Sequence, residues 1–496
     1  MTFLAIGGNG RMAAREAAAA VPAATAAPPA MFGTRHIQAF MTFLCFVQAY
    51  VVVSCMSVAI VAMADDPELN WSSEHQSVVM SAFLWGFCVS PMLGGRLALV
   101  FGAKNVLLSS IALSTVGSFV LPLAAQKGGW EAACAVRVMQ GLFQGPLAPA
   151  THALLSKWVP PSERSRLGSF VYGGAQFGTV IGLLFTGILT DKLGWPSVFY
   201  GAGILGVLWT LAWLYLGADT PVAHPRIDPQ ERDYIKEQVS ANASLAKVVS
   251  TPWRVVLTSA PVWGLTAAHC GQMVGYWTLL TQLPNYMKNV QQYAIMDNGM
   301  VSALPYFTMW LAALPLSFIS DALIKSGKLN TTAMRKIANT IAQWGGAIML
   351  GVIGTGVSDS SHVLTIVLLT CSMTLLSAMY LGFQINHLDL SPNHAPALMG
   401  FTNLWANLLS VLGPLITPLI VTRPTDPAQW HVVFYSAAAV FLVANTLFLL
   451  FGTAETQPWN TLGLETKEDL ESNMQTNIST ITLSGDALKG GLKHVS

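Results

Sequence analysis

The sequence predicts an all-α membrane protein of twelve transmembrane helices in two six-helix bundles. Three observations carry this. Only 25 Lys or Arg and 24 Asp or Glu occur among 496 residues, a charged share of 10% against roughly 25% in a soluble domain. Hydrophobic residues make up 53% of the chain and mean hydropathy is +0.52. A soluble fold of this size could not cover its surface with so few charges, whereas a chain solvated by lipid has no such need. The third observation is spacing: the apolar runs fall into two groups of six, each long enough for a span of roughly 20 residues.

In order, the first group covers 37–63, 77–97, 106–125, 132–154, 167–189 and 198–216. The second covers 255–283, 301–319, 333–353, 363–385, 397–421 and 431–451. Between them, 218–254 is polar and holds Pro221, Pro225 and a charged run from Asp228 to Glu237. The expected organisation is a disordered cytoplasmic tail at 1–36, a bundle at 37–217, a cytoplasmic loop at 218–254, a bundle at 255–452 and a cytoplasmic tail at 453–496. No cleavable signal is read at the N-terminus; 13–30 is rich in Ala and Pro and reads as disordered.

Basic residues set the orientation. With the N-terminus inside, the outer segments hold only Lys127, Lys192, Lys288 and Arg423. Arg137 lies within a run, and the other twenty of the 25 fall on the cytoplasmic side. The positive-inside rule therefore places both termini in the cytoplasm. Asn70-Trp71-Ser72 is then a glycosylation candidate in the first outer loop, while the sequons at Asn242, Asn330 and Asn477 stay bare. Gly174, Gly178 and Gly182 recur every four residues, as do Gly141 and Gly145, and mark where helix backbones approach closely. The six cysteines, Cys45, Cys55, Cys88, Cys134, Cys270 and Cys371, all lie in apolar runs and read as small buried hydrophobes.

The most informative residue is Arg137. A guanidinium facing lipid costs roughly 2.5–3.5 kcal/mol, so it must face a cavity or find partners, and no embedded carboxylate stands ready. Its planar fork suits a carboxylate or phosphate; the competing reading is an arginine that caps carbonyls. Gln140 and Gln144 share its helical face, as a polar cavity wall or as interhelical glue. His269, Tyr50, Trp85, Tyr276 and Trp277 are further cavity candidates, each equally open to a packing role. His152 closes the fourth run, and Asn386, His387 and Asp389 close the tenth, where bracing or gating is expected. No Walker loop, H-E-x-x-H, G-x-S-x-G or metal-ligand cluster occurs, so the sequence offers no enzyme, no cofactor and no metal site. A net charge of +1 gives no support to nucleic-acid binding.

Several stretches resemble the anion–cation symporter branch of the major facilitator superfamily, which includes sialin, vesicular glutamate transporters and sodium-phosphate cotransporters. The wording is most similar to insect proteins labelled as inorganic phosphate cotransporters. The carriers are Ser57-Val-Ala-Ile-Val61, Gly94-Gly-Arg-Leu-Ala98, Arg137-Val-Met-Gln-Gly-Leu-Phe-Gln-Gly145, Pro149-Ala-Thr-His152, Trp158-Val-Pro-Pro-Ser-Glu-Arg-Ser165, Leu279-Leu-Thr-Gln-Leu-Pro-Asn-Tyr-Met287 and Asn386-His-Leu-Asp389. The resemblance implies the major-facilitator fold, with a substrate cavity between the bundles and Arg137 matching the family's fourth-span arginine. Three positions depart from it. Val53 replaces a first-span arginine, Gln144 replaces the glutamate that looks like the protonation site in proton-coupled relatives, and Val274 replaces a seventh-span tryptophan.

The function expected is a secondary active or facilitative transporter of small organic or inorganic anions by alternating access, with sodium or a proton as candidate coupling ion. The alternatives are a non-transporting descendant acting as a sensor or membrane interaction protein, and an anion-conducting pore. A monomer is expected, in the plasma membrane ahead of endosomal or vesicular membranes; no dileucine or tyrosine sorting signal is found.

Overall fold

The computed structural model describes residues 32–160, 163–243, 251–357, 359 and 361–462. Regular structure among them is helical throughout. Helix α1 (Thr34–Ala64) is followed by α2 (Ser73–Val89), whose N-cap Ser72 accepts a hydrogen bond from the His75 N–H at 3.2 Å. Pro91 opens α3 (Pro91–Phe101), where a missing N–H costs nothing. The long α4 (Ala103–Gln144) is two arms doubled back at Gly129, whose φ of 71° suits only glycine. Then come α5 (Leu147–Trp158), α6 (Arg164–Leu193) and α7 (Trp195–Leu216).

After α8 (Pro229–Ala243), the chain forms α9 (Trp253–Thr258), α10 (Ala260–Asn289), α11 (Ile295–Lys325) and α12 (Thr331–Gly354). Next are α13 (His362–Leu376), a 3-10 turn at Ser377–Tyr380, α14 (Phe383–Leu390), α15 (Ala395–Ser410), α16 (Leu412–Ile420) and α17 (Pro427–Phe451). Eight helical stretches among the described residues are long and apolar enough to cross a membrane, Ala103–Trp158 being the doubled-back one.

Four expectations need correcting. The run read as a single span at 255–283 is interrupted at Ser259, whose backbone is extended, whereas 363–385 and 397–421 lie within the continuous apolar stretches His362–Leu390 and Ala395–Ile420. At Ser259 the break has a local cause, since Pro261 cannot donate within a continuing helix. The 218–254 segment contains helix α8. The 1–36 and 453–496 tails are ordered where they adjoin the bundles; 1–31 and 463–496 lie outside the described residues. Five of the cysteines are buried, but Cys371 is exposed on α13.

The glycine ladder does what its spacing predicts. α6 packs along α1, and a Cβ added at Gly174, Gly178 or Gly182 would meet Phe43 O at 2.5 Å, Val47 O at 2.5 Å or Ser54 Oγ at 2.1 Å. Gly141 lies as tightly on α2, with Phe83 O 2.0 Å from an added Cβ. In the second half α10 packs on α15 and α17, and α12 on α13 and α17. The halves meet through α6 with α11, α1 with α10, and α2 with α15 and α16. Near the turn that carries Asp65 this junction is tight. A Cβ on Gly299 would lie 2.7 Å from Leu183 O, and Lys288 Nζ reaches Asp65 Oδ2 at 2.6 Å.

The opposite end, which carries Glu163, is held by ion pairs within each half. Gly33 offers no side chain to cap α1, and Glu231 of α8 does so instead, accepting from the N–H groups of Thr34 (2.8 Å) and Arg35 (3.1 Å). A side chain at Gly33 would collide with that carboxylate. Arg35, expected in a disordered tail, is buried between Glu231 (2.9 Å) and Glu163 (2.8 Å). In the second half Arg335 Nε pairs with Asp389 at 2.7 Å and its Nη1 donates to Leu381 O at 3.0 Å. Asp389 thus ties the end of α14 to α12.

Two outcomes follow for purified protein. Gly178→Ala should destabilise it by about 1–3 kcal/mol through overpacking, whereas Gly168→Ala, with nothing within 4 Å of its Cβ, should leave the melting temperature unchanged or raise it, since alanine is the better helix former. Glu163 answers to pH. The hydrogen bond from Arg35 holds its carboxyl below its ordinary value of 4.5, so it stabilises the fold above that value, and the contribution is lost as pH falls through the lowered one. Glu163→Gln should therefore cost about 1 kcal/mol at neutral pH, and its melting curve should converge with wild type in acid.

Candidate functional site

Doubling α4 back at Gly129 sets Gln140 and Gln144 against the arm they came from and turns Arg137 toward α1 and α2. Arg137 is 2% exposed. Nη1 donates to Val52 O at 3.4 Å and Gln140 Oε1 at 3.2 Å, Cζ sits 5.0 Å over the Phe83 ring, and Nε has no partner. No carboxylate pairs with it among the described residues. A carbonyl, an amide and a π-face are all acceptors of partial charge, so the cation is solvated without being neutralised.

Gln140 and Gln144 spend their amides on the opposite arm. Gln140 Nε2 donates to Ser118 Oγ (3.2 Å) and Ser114 O (3.3 Å), and Gln144 Nε2 to Ser114 Oγ (2.7 Å). Their geometry is that of a polar ladder between helices, with Gln140 also orienting Arg137.

Phe83 leads from Arg137 to the second half, its ring centroid 6.2 Å from that of Trp277. Next to Trp277 begins a set of phenols drawn from both halves. Tyr276 of α10 meets Tyr306 of α11 edge-on at 5.7 Å, and Thr179 of α6 is buried with its hydroxyl on Ala175 O at 3.0 Å. Tyr50 of α1 lies within electrostatic reach of Tyr276 and Tyr380, and Tyr380 accepts from Gln176. The Tyr306 hydroxyl is buried without a partner.

A third group lies in the second half. His269 Nδ1 is 3.0 Å from Thr402 Oγ1, and His387 Nε2 is 2.8 Å from the same oxygen. Asn386 beside it is buried, with neither amide atom bonded. Trp85 is not brought into the site. It is 41% exposed, because it falls two residues, about 200° of helix, from Phe83, which faces the interior. His152 is exposed beside Tyr172, ring centroids 5.1 Å apart. Asn70 is exposed in the turn after α1, at a φ of 47°. Among the described residues no group of three His, Cys, Asp or Glu could hold a metal ion.

The family model for the Major Facilitator Superfamily matches residues 42–414. The chain belongs to that superfamily. Within it, the relatives place the chain in the anion-transporter branch. A Drosophila melanogaster protein provisionally named an inorganic phosphate cotransporter is 37% identical over 487 residues, covering 91% of this chain and 90% of that protein. Human sialin is 34% identical over 461 residues, covering 87% and 92%. The crystal structure of a D-xylose–proton symporter superposes with a TM-score of 0.65 at 12% identity, covering 84% of this chain and 99% of that one, a likeness of fold alone. The protein is a membrane transporter and not an enzyme.

In this transporter the residues that sequence reasoning missed are Phe83, Tyr306, Tyr380 and Thr402. Their common feature is that they are ordinary membrane-helix residues, and only tertiary packing gives them polar company. Gln140→Leu tests the ladder: it removes an acceptor from Arg137 and a donor from Ser118, and should lower the unfolding free energy by about 1–3 kcal/mol in a detergent melt.

Proposed function

We propose that the chain is an anion carrier of twelve helices in two six-helix bundles, with Arg137 as the residue that attracts the anion to the cavity between them. The supporting observation is a contrast among three buried arginines. Arg35 is neutralised by Glu163 and Glu231, and Arg335 by Asp389; Arg137 pairs with no carboxylate among the described residues. A buried cation kept free of counter-charge is an anion site in waiting.

In this reading the Asp65 end is extracellular or lumenal and the Glu163 end cytoplasmic, as the basic residues require. The phenols Tyr50, Tyr276, Tyr306 and Tyr380 line the route with hydroxyl donors and aromatic walls. With Val53 in place of a second cation, attraction falls more for a dianion than for a monoanion. A singly charged, partly apolar organic anion therefore fits better than the phosphate in the name of the insect relative. Gln144 cannot take up a proton, so coupling does not pass through that position.

Uptake into proteoliposomes tests this with phosphate, urate, sialate, glutamate and simple monocarboxylates. Arg137→Gln should reduce uptake roughly 10- to 100-fold, the worth of one charged hydrogen-bonded contact. It should do so without loss of folded protein, since no buried carboxylate is left unpaired. Phosphate or a dicarboxylate moving as well as monocarboxylates would sink the monoanion preference; uptake indifferent to Arg137→Gln would sink the role of the arginine.

A further inference from the structure

Two buried imidazoles converge on one hydroxyl in the second half, and the orientation of that contact can be worked out. His387 Nδ1 lies 3.2 Å from Gln384 O, and a carbonyl only accepts, so Nδ1 carries the proton. His387 Nε2 is then the acceptor facing Thr402 Oγ1 at 2.8 Å, closer than the hydroxyl's other acceptor, Met399 O, at 3.3 Å. With its proton given to His387, Thr402 can only accept from His269, so His269 Nδ1–H donates across 3.0 Å. The result is a directional chain, His269 to Thr402 to His387, linking α10, α15 and α14.

Its surroundings extend it in both directions. Gln272 lies one turn beyond His269 on the same face of α10, and Tyr276 one turn beyond that, which leads to the phenols between the halves. Both amide atoms of Gln272 are buried and unpartnered, as are both of Asn386 next to His387 and Oε1 of Gln384 and Gln343. Native interiors seldom leave such atoms unmatched, and here they flank the two histidines. They are hydrogen-bonding groups suited to carrying a proton onward through water.

We propose that His269, Thr402 and His387 form a proton relay that couples transport to a pH gradient in a chain whose position 144 holds no carboxylate. This rests on the transport reading above and supplies its coupling ion. A proton arriving at His269 Nε2 makes an imidazolium. Its Nδ1 proton passes to Thr402 Oγ1, and the proton of Thr402 passes to His387 Nε2. One N–H bond and one O–H bond break, one of each forms, and the imidazolium has moved from His269 to His387 with no net oxidation.

The charged or titratable groups on neighbouring elements are few. Arg335 and Asp389 pair with one another two residues beyond His387. His394 at the start of α15 bonds Leu462 O through Nε2, and Lys336 on α12 bonds Leu449 O. Tyr276 continues the α10 face. None of these hydrogen-bonds to either imidazole, so each histidine is the other's nearest competitor for the proton, and one charge at a time is the expected occupancy.

The test uses the full chain in proteoliposomes, with wild type, Thr402→Val and Thr402→Ser. Radiolabelled sialate, gluconate, urate, glutamate and phosphate are each offered under an imposed pH gradient and, separately, in counterflow at equal pH. Wild type should accumulate at least one anion under the gradient. Thr402→Val, similar in shape but without the hydroxyl, should keep counterflow and lose the gradient-driven excess, and Thr402→Ser should keep both. Gradient-driven uptake surviving in Thr402→Val, or counterflow in wild type that a pH gradient never drives, overturns the relay.

If no anion moves at all, the transport reading fails, and nitrogen-15 spectra of the labelled histidines decide the relay by themselves. A relay makes His269 and His387 take up a single proton as one coupled pair, with that coupling abolished in Thr402→Val. Independent titration, unchanged by that substitution, overturns it.

Discussion

Helices surrounded by hydrocarbon gain little from burying apolar side chains against one another, so their association depends on how closely their backbones can approach. Much else in this protein follows from that constraint. Gly174, Gly178 and Gly182 bring α6 against the carbonyls of α1, and the same two helices then present Tyr50, Gln176 and Thr179 to the second half. Gly141 does the equivalent between α4 and α2, which places Phe83 under the Arg137 guanidinium. The polar groups at the centre are held by a scaffold whose contacts are backbone to backbone.

Charge is distributed by a second rule. At the Glu163 end, buried cations are matched with carboxylates, and those pairs tie loops to helix ends. In the middle of the structure the one buried arginine has amide, carbonyl and aromatic company only. In the proposed role, pairing with a carboxylate would make Arg137 inert toward a passing anion, whereas complete isolation would be too costly to fold. The contacts to Val52 O, Gln140 and Phe83 lie between these extremes. The network around Thr402 has the same character, polar and connected but carrying no fixed charge.

The two kinds of feature differ in how far the sequence reveals them. Arg137 is conspicuous because a charge inside an apolar run has no cheap structural explanation, and glycine spacing points directly to close packing. Hydropathy alone, however, does not register the interruption at Ser259, because the residues on either side stay apolar. Nor does it reveal that His269 meets Thr402, which lies 133 positions away, or that Tyr306 meets Tyr276. Hydroxyl and phenol side chains are common in membrane helices, and only the packing of α10 against α11 and α15 gives these their partners. Arg35 was misplaced for a related reason: its partner Glu231 sits in a segment whose composition reads as loop.

That last contact has a temporal side. The carboxylate capping the first helix belongs to a residue made 196 positions later than Arg35. At translation rates of roughly 5–20 residues per second, the first span waits about 10–40 s for the group that completes it. During that interval its leading N–H groups depend on water and lipid headgroups at the membrane surface, while the Arg35 guanidinium gains its first carboxylate from Glu163, 128 positions on. The end of the first helix is therefore one of the last parts of the amino-terminal half to reach its final form, although it is among the first to be synthesised.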